Sequence, residues 1–186
     1  MSKHKSEANK KILVEGRFLR FVKTADWEYV ERINCSDIVI IVAMTEDEKV
    51  ILVEQYRPPV KKFVIEFPAG LINDQPSRKH ESITAGAKRE LLEETGYRAK
   101  KMVKITDGPT SGGSSADIVT IFRAYGLEKV GQGGGDETEA IKIHEVPIRK
   151  IDQWLQNQSK KGRLIEPKIY TGLYFLKNYN KFSRKK

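Results

Sequence analysis

The segment Glu81–Thr95 constrains this chain more than any other. Ile83, Ala87 and Leu91 recur in it at helical spacing, and it ends on Arg89-Glu90-Leu91-Leu92-Glu93-Glu94. Residues three and four apart share a helical face, so the pattern predicts a helix with one apolar side. Gly96 stands where such a helix stops. The same spacing gathers Glu90, Glu93 and Glu94 at the C-terminal end of that helix. The helix macrodipole disfavours anions there, and like charges four apart repel. A solvated acidic face with Arg89 paired to Glu93 is one answer. A divalent cation is another, because it relieves both penalties. Hard carboxylate oxygens suit Mg2+ or Mn2+, the ions that commonly serve phosphate chemistry.

The surrounding chain reads largely as strands. Ile12–Val22 and Trp27–Ile33 alternate apolar and polar residues, predicting two strands joined at Thr24–Asp26. Asp37–Met44 is a buried strand. A charged turn, Thr45–Lys49, joins it to Val50–Gln55 as a hairpin. Arg57-Pro58-Pro59 interrupts any sheet, since neither proline can donate to a ladder. Phe63–Phe67 is a short strand ended by Pro68-Ala69-Gly70. After the helix, strands are expected at Met102–Thr106, Ile118–Ala124 and Ala140–Val146, with glycine-rich loops at Gly108–Ser115 and Gly131–Gly135. Ile148–Gln158 and Pro167–Tyr179 read as two closing helices, the second with proline in its first turn. Strands, a helix, more strands and then helices argue for an α+β sandwich.

A length of 186 residues with 39% hydrophobic content suits one sizeable core. No apolar run approaches the roughly 20 residues of a membrane-spanning helix, and Met1–Lys10 lacks the apolar stretch of a secretory signal. A lone cysteine, Cys35, excludes an internal disulfide and fits a reducing cytoplasm. The net charge of +9 favours polyanionic partners. Much of it sits at the two ends, in Lys3, Lys5, Lys10, Lys11, Lys181, Arg184, Lys185 and Lys186. No basic stripe interleaved with aromatics, as a nucleic-acid groove needs, is present.

The arrangement around the glutamates resembles the Nudix box. That motif is a glycine, a spacer, a glutamate, seven residues, Arg-Glu, an aliphatic residue, any residue, Glu-Glu, any residue, glycine and a bulky apolar residue. Gly70 supplies the glycine. Glu81, seven residues, and Arg89-Glu90-Leu91-Leu92-Glu93-Glu94-Thr95-Gly96-Tyr97 supply the rest. Ten residues separate Gly70 from Glu81 where the box has five, so Pro76–His80 reads as a loop insertion. Glu54-Gln55-Tyr56-Arg57-Pro58-Pro59 and Ile65-Glu66-Phe67-Pro68-Ala69-Gly70 look like the segments before the box in ADP-ribose and nucleoside-diphosphate-sugar pyrophosphatases. Gly133-Gly134-Gly135-Asp136-Glu137-Thr138-Glu139 resembles the acidic loop of the GDP-mannose branch.

This resemblance implies a Nudix-type α/β/α sandwich around a mixed sheet, with an N-terminal antiparallel strand region. It implies a basic tail at residues 1–10, strands for dimerisation and nucleobase binding at 11–36, and a hydrolase domain at 37–182. It implies two or three Mg2+ ions, or Mn2+, held by Glu90 and Glu94 with help from Glu93 and the carbonyl of Ala69. Gly70, Glu81, Arg89 and Gly96 are the structural members of the box. Glu139, with Glu137 second, is expected to position or deprotonate the attacking water from a mobile loop; an ordinary polar loop is the alternative. Arg57 is expected to clamp a phosphate with paired donors, or else to form a surface salt bridge. Phe18 and Trp27 are expected to stack on the base, often from different subunits of a dimer; the alternative makes them strand core residues. Glu28 would accept from a base amino group, and Arg32 is counted with the substrate-binding residues. Ser111 stands where ADP-ribose enzymes often carry proline. The three histidines are assigned no catalytic role. The expected protein is a cytoplasmic homodimeric pyrophosphatase of nucleoside diphosphate sugars, without membrane or nucleic-acid partners. The rivals are a Nudix hydrolase of RNA 5′ ends or oxidised nucleotides, and a nucleotide-sugar-binding module without turnover.

Overall fold

The computed structural model describes residues 10–75, 78–135 and 140–178. Most of the expected basic tail, the end of the second closing helix and the acidic segment 136–139 therefore lie outside the described residues.

Three strands, β1 (Lys11–Glu15), β2 (Leu19–Thr24) and β3 (Trp27–Arg32), form a separate antiparallel sheet in that order. The stretch expected as a single strand over Ile12–Val22 is thus two. It breaks at Gly16, whose N–H donates to the carbonyl of Leu19 at 2.9 Å. Apolar alternation runs on across the turn, which hides it from a periodicity reading.

The main sheet is built around β4 (Asp37–Met44) and β5 (Lys49–Arg57), the expected hairpin. Further strands are β6 (Lys62–Glu66), β7 (Ala69–Ile72), β8 (Tyr97–Pro109), β9 (Ile118–Lys129), β10 (Lys142–Pro147) and β11 (Leu164–Ile165). Among the described residues the sheet runs β11-β6-β5-β4-β9-β8, with β10 beside β5 and β7 beside β4. It is mixed: β4 with β9 and β6 with β11 are parallel, the remaining pairs antiparallel. The short strands β7 and β11 lie beyond the sequence reading. So does the full length of β8 and β9; the unexpected start of β8 alternates the exposed Arg98 and Lys100 with the buried Tyr97 and Ala99.

β4 is buried on both faces, which is why it reads as a continuous apolar run. Val39, Ile41 and Ala43 face α1 (Ile83–Thr95), packing with Ala87 and Leu91. Ile40 and Val42 face the opposite layer, where Phe67 and Ile65 meet Leu155 of α2 (Ile151–Lys160) and Ile169 and Leu173 of α3 (Lys168–Lys177). The result is an α/β/α sandwich with two cores, one on each side of β4.

The third layer depends on one small residue. A Cβ at Gly172 of α3 would overlap the buried ring of Phe67 and crowd Val42. Gly172→Ala is expected to destabilise the protein by about 1–3 kcal/mol through forced repacking, measured as a lower denaturant midpoint with an unchanged slope.

Candidate active site

β7 begins the site. It pairs with the central strand, Ala69 opposite Ile40 and Gly70 opposite Val39, and the carbonyl of Pro68 accepts from Ile41 N at 2.8 Å. The turn before the box is therefore fixed to the most buried strand of the sheet. Helix α1 follows, capped at its start by Ser82, whose hydroxyl accepts from Ala85 N at 3.2 Å. It ends on Gly96 in the left-handed conformation, whose N–H returns to Leu92 O.

Two of the box glutamates lie against this turn. Glu94, only 4% exposed, accepts from the N–H of Ala69 at 3.1 Å. The carboxylate of Glu90 occupies the space that a side chain on Gly70 would fill; a Cβ there would overlap it. This is the physical reason for the glycine. Ala69, Gly70, Glu90 and Glu94 are thus brought together. Glu93 is set apart: its side chain is 40% exposed and held by two arginines, Arg89 Nη1 at 2.8 Å and Arg78 Nη2 at 3.2 Å.

Arg89 links the members of the box. Its Nε and Nη2 donate to Glu81, Nη1 to Glu90 at 2.7 Å and to Glu93, and Nη2 to the carbonyl of Leu71. Burial works against its charge, but Glu81, Glu90 and Glu93 outweigh that and push its pKa further above the ordinary arginine value. The insertion before Glu81 does not displace this glutamate. Asn73 Oδ1 accepts the N–H of Glu81 at 2.9 Å while its amide donates to Ser36, so the loop closes on itself and Glu81 still meets Arg89.

Burial dominates the titration of Glu90 and raises its pKa to about 7. Arg89 opposes the shift, and the charges of Glu93 and Asp74 add to it. The oxygen donors of Glu90, Glu94 and Ala69 fit a hard divalent cation by chemistry. Among the described residues, no three histidine, cysteine or acidic side chains converge as a ready-made metal cage.

The expected water-activating residues, Glu137 and Glu139, lie outside the described residues. Their flanks are placed. Gly134 N donates to Glu94 O at 2.9 Å, Gly135 N to Glu93 O at 3.1 Å, and Ile141 N to Gly134 O at 3.3 Å. Both ends of the segment are therefore tied near the C-terminus of the box helix.

Arg57, at the tip of the β5–β6 hairpin, reaches back to Glu66 at the far end of β6, at 2.8 Å. Phe18 is 67% exposed and Trp27 62%, so neither is a core residue within one protomer. Glu28 is exposed near Lys23. Arg32 pairs with Asp117 at 3.3 Å and lines a cavity of about 470 Å3 that also includes Cys35 and Ile83. No box glutamate lines that cavity. Asn73, Arg78 and Asp74 are contributors that the box pattern does not contain. His144 bonds Glu54 at 2.8 Å, a buried pairing that Arg163 also joins.

A model of the NUDIX domain matches residues 36–166. The chain belongs to the Nudix family. As a Nudix hydrolase it falls among the pyrophosphatases. It is 32% identical over 139 residues to a methanol dehydrogenase activator of Bacillus methanolicus, covering 74% of this chain and 70% of that one. It is 39% identical over 111 residues to an ADP-ribose pyrophosphatase of Bacillus subtilis, covering 59% of this chain and 57% of that one. A crystal structure described as an ADP compounds hydrolase superposes with a TM-score of 0.69 over 96% of this chain and 95% of that one, at 19% identity, and shares the fold.

The Glu90 environment has a measurable consequence. An unfolded chain ionises this carboxyl near its ordinary 4.5, the folded one near 7. Between those values the folded state holds the extra proton, so stability falls as pH rises through the window and levels off above it. With chelator present, Glu90 is expected to contribute a loss on the order of 3 kcal/mol between pH 4.5 and 8, and Glu90→Gln to remove that contribution in a pH series of denaturant melts.

Proposed function

We propose that the protein hydrolyses the pyrophosphate bond of nucleoside diphosphate sugars of the ADP-ribose or GDP-mannose type, giving a nucleoside monophosphate and a sugar phosphate. The observation that carries this reading is the packing of two buried carboxylates, Glu90 and Glu94, against the Ala69–Gly70 turn. ADP-ribose is supported by the relative in Bacillus subtilis. GDP-mannose is supported by the likeness of Gly133–Glu139 to the acidic loop of that branch.

Glu90, Glu94 and the carbonyl of Ala69 would hold Mg2+ or Mn2+, two or three ions in all, with Glu93 assisting. When bound, such ions neutralise the diphosphate and make a coordinated water a stronger nucleophile. Arg89 orients Glu90 and Glu93 and keeps Glu81 tied to the helix. Glu139, or failing it Glu137, holds or takes the proton of the attacking water. Arg57, directed by Glu66, presents donors to a phosphate. Phe18 and Trp27 offer flat exposed faces to the base, with Glu28 and Arg32 contributing polar contacts.

Residues 11–36 serve as a dimerisation arm and nucleobase site, and 37–182 as the hydrolase domain. The exposed apolar side chains of the N-terminal sheet, Ile12, Val14 and Leu19 among them, support a homodimer in which a second copy covers them. Among the described residues no helix is long and apolar enough to cross a membrane; we assign the protein to the cytoplasm, acting on small nucleotide substrates and not on nucleic acid.

A screen of nucleoside diphosphate sugars with Mg2+, scored for released monophosphate, tests the substrate class. Turnover of ADP-ribose or GDP-mannose is expected, and Glu94→Gln should lower it by about a hundredfold or more. Full activity in that variant, or turnover confined to RNA 5′ ends, would sink the reading.

A further inference from the structure

The added length between Gly70 and Glu81 delivers an arginine to the carboxylate cluster. Arg78 donates from Nη2 to Glu93 Oε1 at 3.2 Å. The described residues around it are tied down: Arg78 N bonds Gln75 O at 3.0 Å, Glu81 N bonds Arg78 O at 3.1 Å, and Asn73 bonds both Glu81 and Ser36.

The two arginines on Glu93 are not equivalent. Arg89 is largely buried and engages Glu81, Glu90 and Glu93 as well as a backbone carbonyl. Arg78 is partly exposed, and Glu93 is its ion-pair partner among the described residues. Glu93 already has Arg89 on its other oxygen, so its position does not depend on Arg78. A part-exposed ion pair of this kind is weak, worth about 0–1 kcal/mol. A guanidinium bound loosely beside a phosphate-cleaving centre can exchange its carboxylate for a phosphate oxygen, whose geometry matches its paired donors.

We propose that Arg78 is a substrate-binding residue of this site: it rests on Glu93 in the free protein and moves onto the diphosphate of the substrate. The choice of a diphosphate rests on the pyrophosphatase reading above. The choice of Arg78 rests on the loop and its pairing alone. Arg78 thereby gives the insertion a function in phosphate recognition.

The test uses the full chain and imidodiphosphate, a diphosphate that carries neither base nor sugar and resists hydrolysis. Its affinity is measured by calorimetry with Mg2+, and the affinity for Mn2+ alone by electron paramagnetic resonance. Arg78→Ala and Arg78→Gln are expected to weaken imidodiphosphate by about tenfold. Mn2+ binding should stay unchanged or tighten, because a competing cation has gone. Arg78→Lys should recover part of the loss, and Lys79→Ala, a neighbour in the same loop, should stay within about twofold of the parent. Three results would overturn the proposal: no binding of imidodiphosphate by the parent protein, unchanged binding in both Arg78 variants, or a loss of Mn2+ affinity equal to the loss of imidodiphosphate affinity. The last would make Arg78 a support of Glu93 only. Hydrolysis of ADP-ribose and GDP-mannose is scored separately; a parent that binds imidodiphosphate through Arg78 but cleaves neither sugar would sink the substrate assignment and leave this one standing.

Discussion

The guanidinium of Arg89 is the interaction on which the site depends. It satisfies Glu81 from before the helix, Glu90 and Glu93 from within it, and the carbonyl of Leu71 from β7. One planar group therefore joins the helix to the loop that precedes it and to the strand it packs against. Lysine could not replace it, since a single ammonium lacks the fork that reaches these directions at once. β7 is in turn paired to β4, the strand buried on both faces. The carboxylates are positioned by a continuous path from the core of the sheet to the surface.

The C-terminal end of the box helix shows how the anion penalty is met. Its last carbonyls are covered by backbone donors: Gly134 and Gly135 donate to Glu94 and Glu93, and Val130 and Gly131 donate to Gly96. This approach is close enough that a Cβ on Gly96 would overlap the backbone of Gly131. The glycine-rich loop is thus a cap before it is anything else. Capping satisfies carbonyls that would otherwise add their partial charge to that of the glutamates. It also fixes where the loop leaves and rejoins the helix.

Helical spacing made part of the box legible: Glu90 and Glu94, four apart, meet the same turn and Gly96 stops the helix where expected, whereas Glu93, expected in the same cluster, points away to Arg78 and Arg89. β4 and β5 were legible from apolar runs. What escaped lies where local pattern carries no signal. β7 is four residues long and starts directly after Pro68, so only its pairing with β4 defines it. The break at Gly16 is masked by alternation that continues across it. Asn73 and Arg78 sit in a polar loop, and their partners are eight and fifteen residues away. Periodicity also offered strand core for Phe18 and Trp27, whereas both rings are exposed in the protomer, because none of the described residues covers them.

Glu90 and Glu93 are three residues apart yet live in different media. Glu90 lies against the Gly70 backbone with its side chain 14% exposed, and desolvation opposes its ionised form. Glu93 points toward solvent with an arginine on each oxygen. The buried carboxylate, whose desolvation outweighs its pairing with Arg89, is the one that gains most from a dication, since charge interactions strengthen as water is excluded. The exposed one keeps its charge in contact with water and with both arginines. A shift of one residue in the helix would exchange a buried carboxylate for an exposed one, so the spacing of the box is set by which glutamates must be dry. The glycine at position 70 follows from the same requirement, because only a missing side chain leaves room for Glu90 to be buried there.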